Sequence, residues 1–99
     1  MAESILNDKR LLAVDDEADV LESLEELVLA DAPRCRIDTA GNYEDAAALL
    51  EAHAYDLVVL DIMGVRGFDL LETAVRRGFR VAMLTAHALT PERSNALTT

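Results

Sequence analysis

Leu57-Val58-Val59-Leu60-Asp61 is the stretch on which the fold turns: an unbroken apolar run that ends on a carboxylate. Continuous rather than alternating apolarity suits a strand covered on both faces, as in a parallel sheet. Two other runs have the same form. Leu11-Leu12-Ala13-Val14 stops abruptly at Asp15-Asp16-Glu17, and Val81-Ala82-Met83-Leu84 stops at Thr85, with Met83 read as a core residue. Arg36 to Thr39 is a weaker strand candidate, with Ile37 as its main apolar residue.

The segments between these runs change period. From Ala18 to Ala30, Val20, Leu21, Leu24, Leu27 and Val28 recur at spacings of three and four, which predicts a helix with one buried stripe. Glu22, Glu25 and Glu26 take its wet side, and Pro33 closes the segment. Gly41-Asn42 reads as a turn, with Asn42 as N-cap of a helix from Tyr43 to about Ala54. Gly64 to Gly67 reads as a loop, and Phe68, Leu71 and Val75 mark a helix that stops near Gly78. Thr90-Pro91-Glu92 has the form of one more helix start. Strands and helices therefore alternate, which predicts an α/β fold with a parallel sheet joined by right-handed crossovers. In such sheets functional groups collect beyond the carboxyl ends of the strands. Asp15, Asp16, Asp61 and Thr85 all fall on that rim.

Composition narrows the function. The chain has 99 residues, 52% of them apolar and 28% charged, and this amounts to one small domain. A formal net charge of -10 argues against nucleic acid or an anionic membrane as a direct partner. The lone cysteine, Cys35, forms no internal disulfide, which suits a reducing compartment. Met1 to Arg10 is too charged for a signal peptide, and no apolar run reaches the length of a membrane span. The expected location is the cytoplasm.

Three carboxylates at neighbouring strand ends need a counter-charge, because each makes the next harder to ionise. Oxygen ligands of this kind suit Mg²⁺, which keeps several waters and bridges carboxylate to phosphate. A carboxylate beside such an ion can attack a phosphoryl group and form an acyl phosphate. In the order Lys9 to Glu17, Tyr55 to Met63 and Met83 to His87, the sequence resembles a response-regulator receiver domain over nearly its whole length. The resemblance implies a flavodoxin-like, CheY-like doubly wound sheet of strand order 2-1-3-4. It implies that Asp61 accepts a phosphoryl group from a sensor histidine kinase or phosphotransfer protein. Asp16 would ligate Mg²⁺ directly, Asp15 through a water, and the backbone carbonyl of Met63 would add a ligand. Thr85 would act as the switch residue, and His87 and Arg66 would flank the site.

Two departures from the family pattern stand out. The loop after Asp61 lacks the usual proline and reaches its glycine, Gly67, about two residues early. The fifth strand, with its lysine and aromatic switch residue, is missing, so the chain reads as a receiver domain over residues 1–99 that is incomplete at its C-terminus. Strand four would then be an exposed apolar edge, open to a homodimer or a strand-swapped dimer. The chain is read as a switch module rather than an enzyme. One alternative is a pseudo-receiver that docks without being phosphorylated. The other is a small Mg²⁺-dependent aspartyl-phosphate phosphatase. The latter usually needs an acid two residues after its nucleophile, where this chain has Met63.

Overall fold

Every apolar run singled out above becomes a strand. The computed structural model describes residues 5–61 and 67–84. In chain order it contains β1 (Arg10–Val14), α1 (Ala18–Asp31), β2 (Arg36–Ala40), α2 (Tyr43–Ala52), β3 (Leu57–Asp61), α3 (Gly67–Arg76) and β4 (Arg80–Leu84). The strands form one sheet in the order β2-β1-β3-β4, with every neighbouring pair parallel. This is the expected α/β arrangement and strand order. The further helix expected at Thr90-Pro91-Glu92 lies outside the described residues.

Alternate side chains of each strand feed two cores. Leu12 and Val14 of β1 join Val58 and Leu60 of β3 beneath α2 and α3, which contribute Ala46, Leu50, Leu70 and Ala74. Full burial of each large apolar side chain is worth roughly 1.5–3 kcal/mol, so this face carries most of the hydrophobic stabilisation. The opposite face is smaller. Leu11 and Ala13 meet Leu21, Leu24 and Val28 of α1, with Leu57 and Val59 only partly covered.

Two expectations are corrected by the observed packing. Leu27, expected in the buried stripe of α1, is 71% exposed, and no residue of α1 is fully buried. A helix is roughly 10 Å across and strands lie about 4.8 Å apart, so one helix covers about two strands. Only the arc Leu21, Leu24, Val28 therefore finds sheet to touch, and Leu27 turns past its edge. Met83, expected in the core, is 39% exposed because β4 is an edge strand of the described sheet. The helix inferred from Phe68, Leu71 and Val75 is present, but Leu70 and Ala74 face the core while Phe68 and Val75 are exposed.

Local signals set the ends of the elements. Asn42 caps α2 as expected, its side-chain oxygen accepting from the Asp45 N–H at 2.8 Å. The other end of α2 has no basic residue of its own. Arg77, just past α3, instead donates to the carbonyls of Leu50 at 3.1 Å and His53 at 3.2 Å. Gly78 ends α3 with φ +82°, a backbone angle that side chains resist, and the N–H of Phe79 closes back on the Ala74 carbonyl at 2.9 Å.

A polar knot ties the amino ends of the strands. The buried Tyr55 hydroxyl donates to Asp38 Oδ2 at 2.6 Å, and Arg10 donates to the same oxygen at 3.2 Å. The Arg10 guanidinium also lies 5.6 Å from the Tyr55 ring centre. Burial, then the hydrogen bond and charge of Asp38, push the Tyr55 hydroxyl far above its ordinary value of 10. A phenol whose pKa rises on folding holds its proton better when folded, so its stability contribution is complete below pH 10 and is lost above it. Tyr55→Phe is expected to cost about 1–2 kcal/mol at neutral pH and to flatten the alkaline decline in stability. Denaturant titrations from neutral to alkaline pH test this. An equally steep decline in the variant would show that the decline has another origin.

Candidate metal site at the carboxyl rim

Parallel pairing does most of the work of building this site. In the β1–β3 pair Val14 lies opposite Leu60, so the next residues along, Asp15 and Asp61, leave the sheet side by side. Asp16 follows at the start of the turn into α1. One carboxylate oxygen from each of Asp15, Asp16 and Asp61 falls within 4.8 Å of the others. These are the three acids expected to meet, and they do.

Their surroundings differ. Asp15 is buried, at 5% exposure, while Asp61 is half-buried and Asp16 is exposed. Two hydrogen bonds fix Asp15: its N–H donates to the Ala40 carbonyl at 3.2 Å, and its Oδ1 accepts from the Glu17 N–H at 2.8 Å. The second bond also occupies an N–H at the start of α1, where Glu17 stands as N-cap without a side-chain cap of its own. The capping role and the rim role of Asp15 therefore coexist.

The electrostatics favour a cation. Burial raises the Asp15 carboxyl above its usual range, and the neighbouring charges of Asp61 and Asp16 push the same way; the Glu17 N–H opposes them. A divalent ion would relieve both the burial and the repulsion. Mg–O bonds of about 2.0–2.1 Å place ligand oxygens roughly 2.9–4.2 Å apart, so the three oxygens need only small adjustments, or a bridging water, to share one ion. The donor set is all oxygen, and Asp16 leaves the outer side open to water. These residues fit Mg²⁺.

Met63, Arg66, Thr85 and His87, the other expected site residues, lie outside the described residues. The described cations lie elsewhere. Lys9, Arg10, Arg34, Arg36, Arg76, Arg77 and Arg80 all fall at the amino ends of strands or the carboxyl end of α3, across the sheet from the acids. The bond from Glu17 to Asp15 escaped the sequence reading, although an acid two residues before a helix N-cap is a signal that could have suggested it.

Comparison with known proteins agrees with this geometry. The sequence matches the response regulator receiver domain family over residues 11–99. It is 36% identical over 85 residues to the two-component response regulator ARR18 of Arabidopsis thaliana, a match covering 80% of this chain and 13% of that much longer protein. Among solved structures, the response regulator protein TrrA of Thermotoga maritima, in complex with Mg(2+)-BeF, is 33% identical, with a TM-score of 0.69. That match covers 89% of this chain and 80% of TrrA. The N-terminal domain of a response regulator receiver protein from Methanoculleus marisnigri is 32% identical, also with a TM-score of 0.69, covering 91% of this chain and 76% of its own. A sheet of order β2-β1-β3-β4 with three acids on its carboxyl rim, matched to this family over most of its length, places the chain in the response regulator receiver domain family.

Proposed function

We propose that this domain is a cytoplasmic phosphorylation switch in which Asp61 accepts a phosphoryl group from the phosphohistidine of a sensor kinase or phosphotransfer protein. The convergence of Asp15, Asp16 and Asp61 within 4.8 Å carries this reading. An oxygen of Asp61 attacks phosphorus in line, the imidazole nitrogen leaves, and an acyl phosphate forms on the aspartate. Asp15 and Asp16, with the Met63 carbonyl, would hold Mg²⁺, which would offset charge on the transferred group. Asp15, pinned by Ala40 and Glu17, keeps the donor oxygens in place before the ion arrives. Thr85 then binds the phosphoryl oxygens and draws its loop inward, a local charge event with a wider readout. His87 and Arg66 flank the pocket, and the domain works as a signalling module rather than as an enzyme with a diffusible substrate.

One observation favours a second reading. Every described lysine and arginine lies at the end of the sheet away from the acids, as a docking module that is never phosphorylated would allow. Incubation with Mg²⁺ and acetyl phosphate decides between them. The expected result is one added phosphoryl group per chain, located at Asp61 by mass spectrometry and abolished in Asp61→Asn. An unmodified wild-type chain would leave the docking module.

Mg²⁺ binding is testable without phosphoryl transfer. At a hundredfold excess over its dissociation constant, Mg²⁺ should stabilise the fold by about 2.7 kcal/mol, read as a rise in Tm. Asp15→Asn is expected to raise the metal-free Tm, since a buried, repelled charge is gone, and to shrink the Mg²⁺ response. Asp16→Asn, at an exposed position, should weaken the response while leaving the metal-free Tm near wild type. Equal Mg²⁺ responses in all three proteins would place the ion elsewhere.

A further inference from the structure

Half of the bonding capacity of the β2 backbone faces outward. The Arg36 N–H donates to the Lys9 carbonyl at 2.8 Å, and the Ala40 carbonyl accepts from the Asp15 N–H at 3.2 Å. Residues 36, 38 and 40 therefore turn their backbone groups toward β1. The N–H and C=O of Ile37 and Thr39 point the other way, and among the described residues no strand lies beyond them.

The side chains of this strand are charged in a particular order. Arg36 and Asp38 share one face of the sheet, the face covered by α2, because they are two residues apart and Ala40 belongs to that core. Tyr55 and Arg10 both bond to Asp38 Oδ2, and among the described residues nothing bonds to its Oδ1. The Arg36 side chain is exposed and, among the described residues, makes no ion pair. A cation without an acid and a carboxylate with a spare oxygen thus stand side by side on one edge.

We infer that two copies of this chain pair antiparallel through β2, about a two-fold axis at Ile37, so that Arg36 of each copy meets Asp38 of the other. Charges on an edge strand ordinarily deter pairing, and most registers here are indeed blocked. An axis at Arg36 or Asp38 would set like charges opposite each other, and one at Thr39 would set Asp38 against Ala40. Only the axis at Ile37 joins both opposite-charge pairs. It also lets the two Ile37 residues exchange their outward N–H and C=O groups, and it makes Arg36 and Asp38 the closer pair, about 4.5 Å between α-carbons.

The helices leave room for this contact. α2 shares its core with Leu12 and Val14 of β1 and with Ala40 of β2, so it sits about one strand spacing from the axis. The two α2 helices then run roughly 9–10 Å apart, a normal packing distance. Glu51 reaches from α2 to Arg76 of α3 at 2.8 Å, so half-buried Leu49, two residues earlier, lies on the opposite flank, toward the second copy. Repulsion between chains of charge -10 is screened beyond about 8 Å at physiological ionic strength. Because the strands oppose each other, the two acidic rims point in opposite directions and both stay open.

Sedimentation equilibrium over rising concentrations, without Mg²⁺ or phosphoryl donor, tests the pairing independently of the function proposed above. The expected species is a dimer. Arg36→Ala should weaken it about three- to tenfold through loss of two exposed ion pairs. Arg36→Glu should abolish it, since acids would then face each other, while Thr39→Lys, beyond the paired residues, should leave it intact. Positions 36 and 39 are both exposed, and thermal melts of dilute protein should show an unchanged Tm in each variant. A wild type that stays monomeric overturns the pairing and leaves the edge to an unrelated strand. A dimer that withstands Arg36→Glu overturns the Arg36–Asp38 contact, and one that is lost in Thr39→Lys overturns the register.

Discussion

The parallel register between β1 and β3 is the constraint on which the rest depends. It is set by hydrophobic alternation. Leu12 and Val14 must face the same core as Val58 and Leu60, and a slip of one residue would expose all of them. Once that register holds, Asp15 and Asp61 emerge at the same height on adjacent strands. The acidic cluster is thus a product of core packing. Repulsion among its members opposes it, and burial of the apolar side chains holds them together nonetheless.

The protein separates the burdens of stability and function in space. Ionic and aromatic contacts that stiffen the frame gather at the amino ends of the strands, around Tyr55, Asp38, Arg10 and Arg77. The carboxyl ends carry the acids Asp15, Asp16 and Asp61. Asn42 and Asp15 both occupy N–H groups at helix starts, but only Asp15 also turns toward the rim. Helix N-termini at that end lessen the electrostatic cost of the acids, since the macrodipole is positive there.

How much of this was legible in the sequence depended on the range of the interaction. The strand runs and the N-cap at Asn42 are local signals, and the structure agrees with them to within a residue or two. The acid trio was legible because Asp15 and Asp61 each end an apolar run and Asp16 follows Asp15, while alternation with helices fixes which ends those are. Leu27 was misread because helical periodicity reports an apolar arc without saying how much sheet lies beneath it. The Tyr55–Asp38–Arg10 knot was missed because it joins residues 17 and 28 positions apart with no repeating pattern. Arg77 escaped for the same reason: it caps a helix other than the one it follows.

The bond from the Glu17 N–H to Asp15 Oδ1 ties the rim to the start of α1. Its donor is backbone, so no substitution at position 17 short of proline removes it. The orientation of the Asp15 carboxylate is thereby set by the entry of the helix and not by the chemistry of a neighbouring side chain.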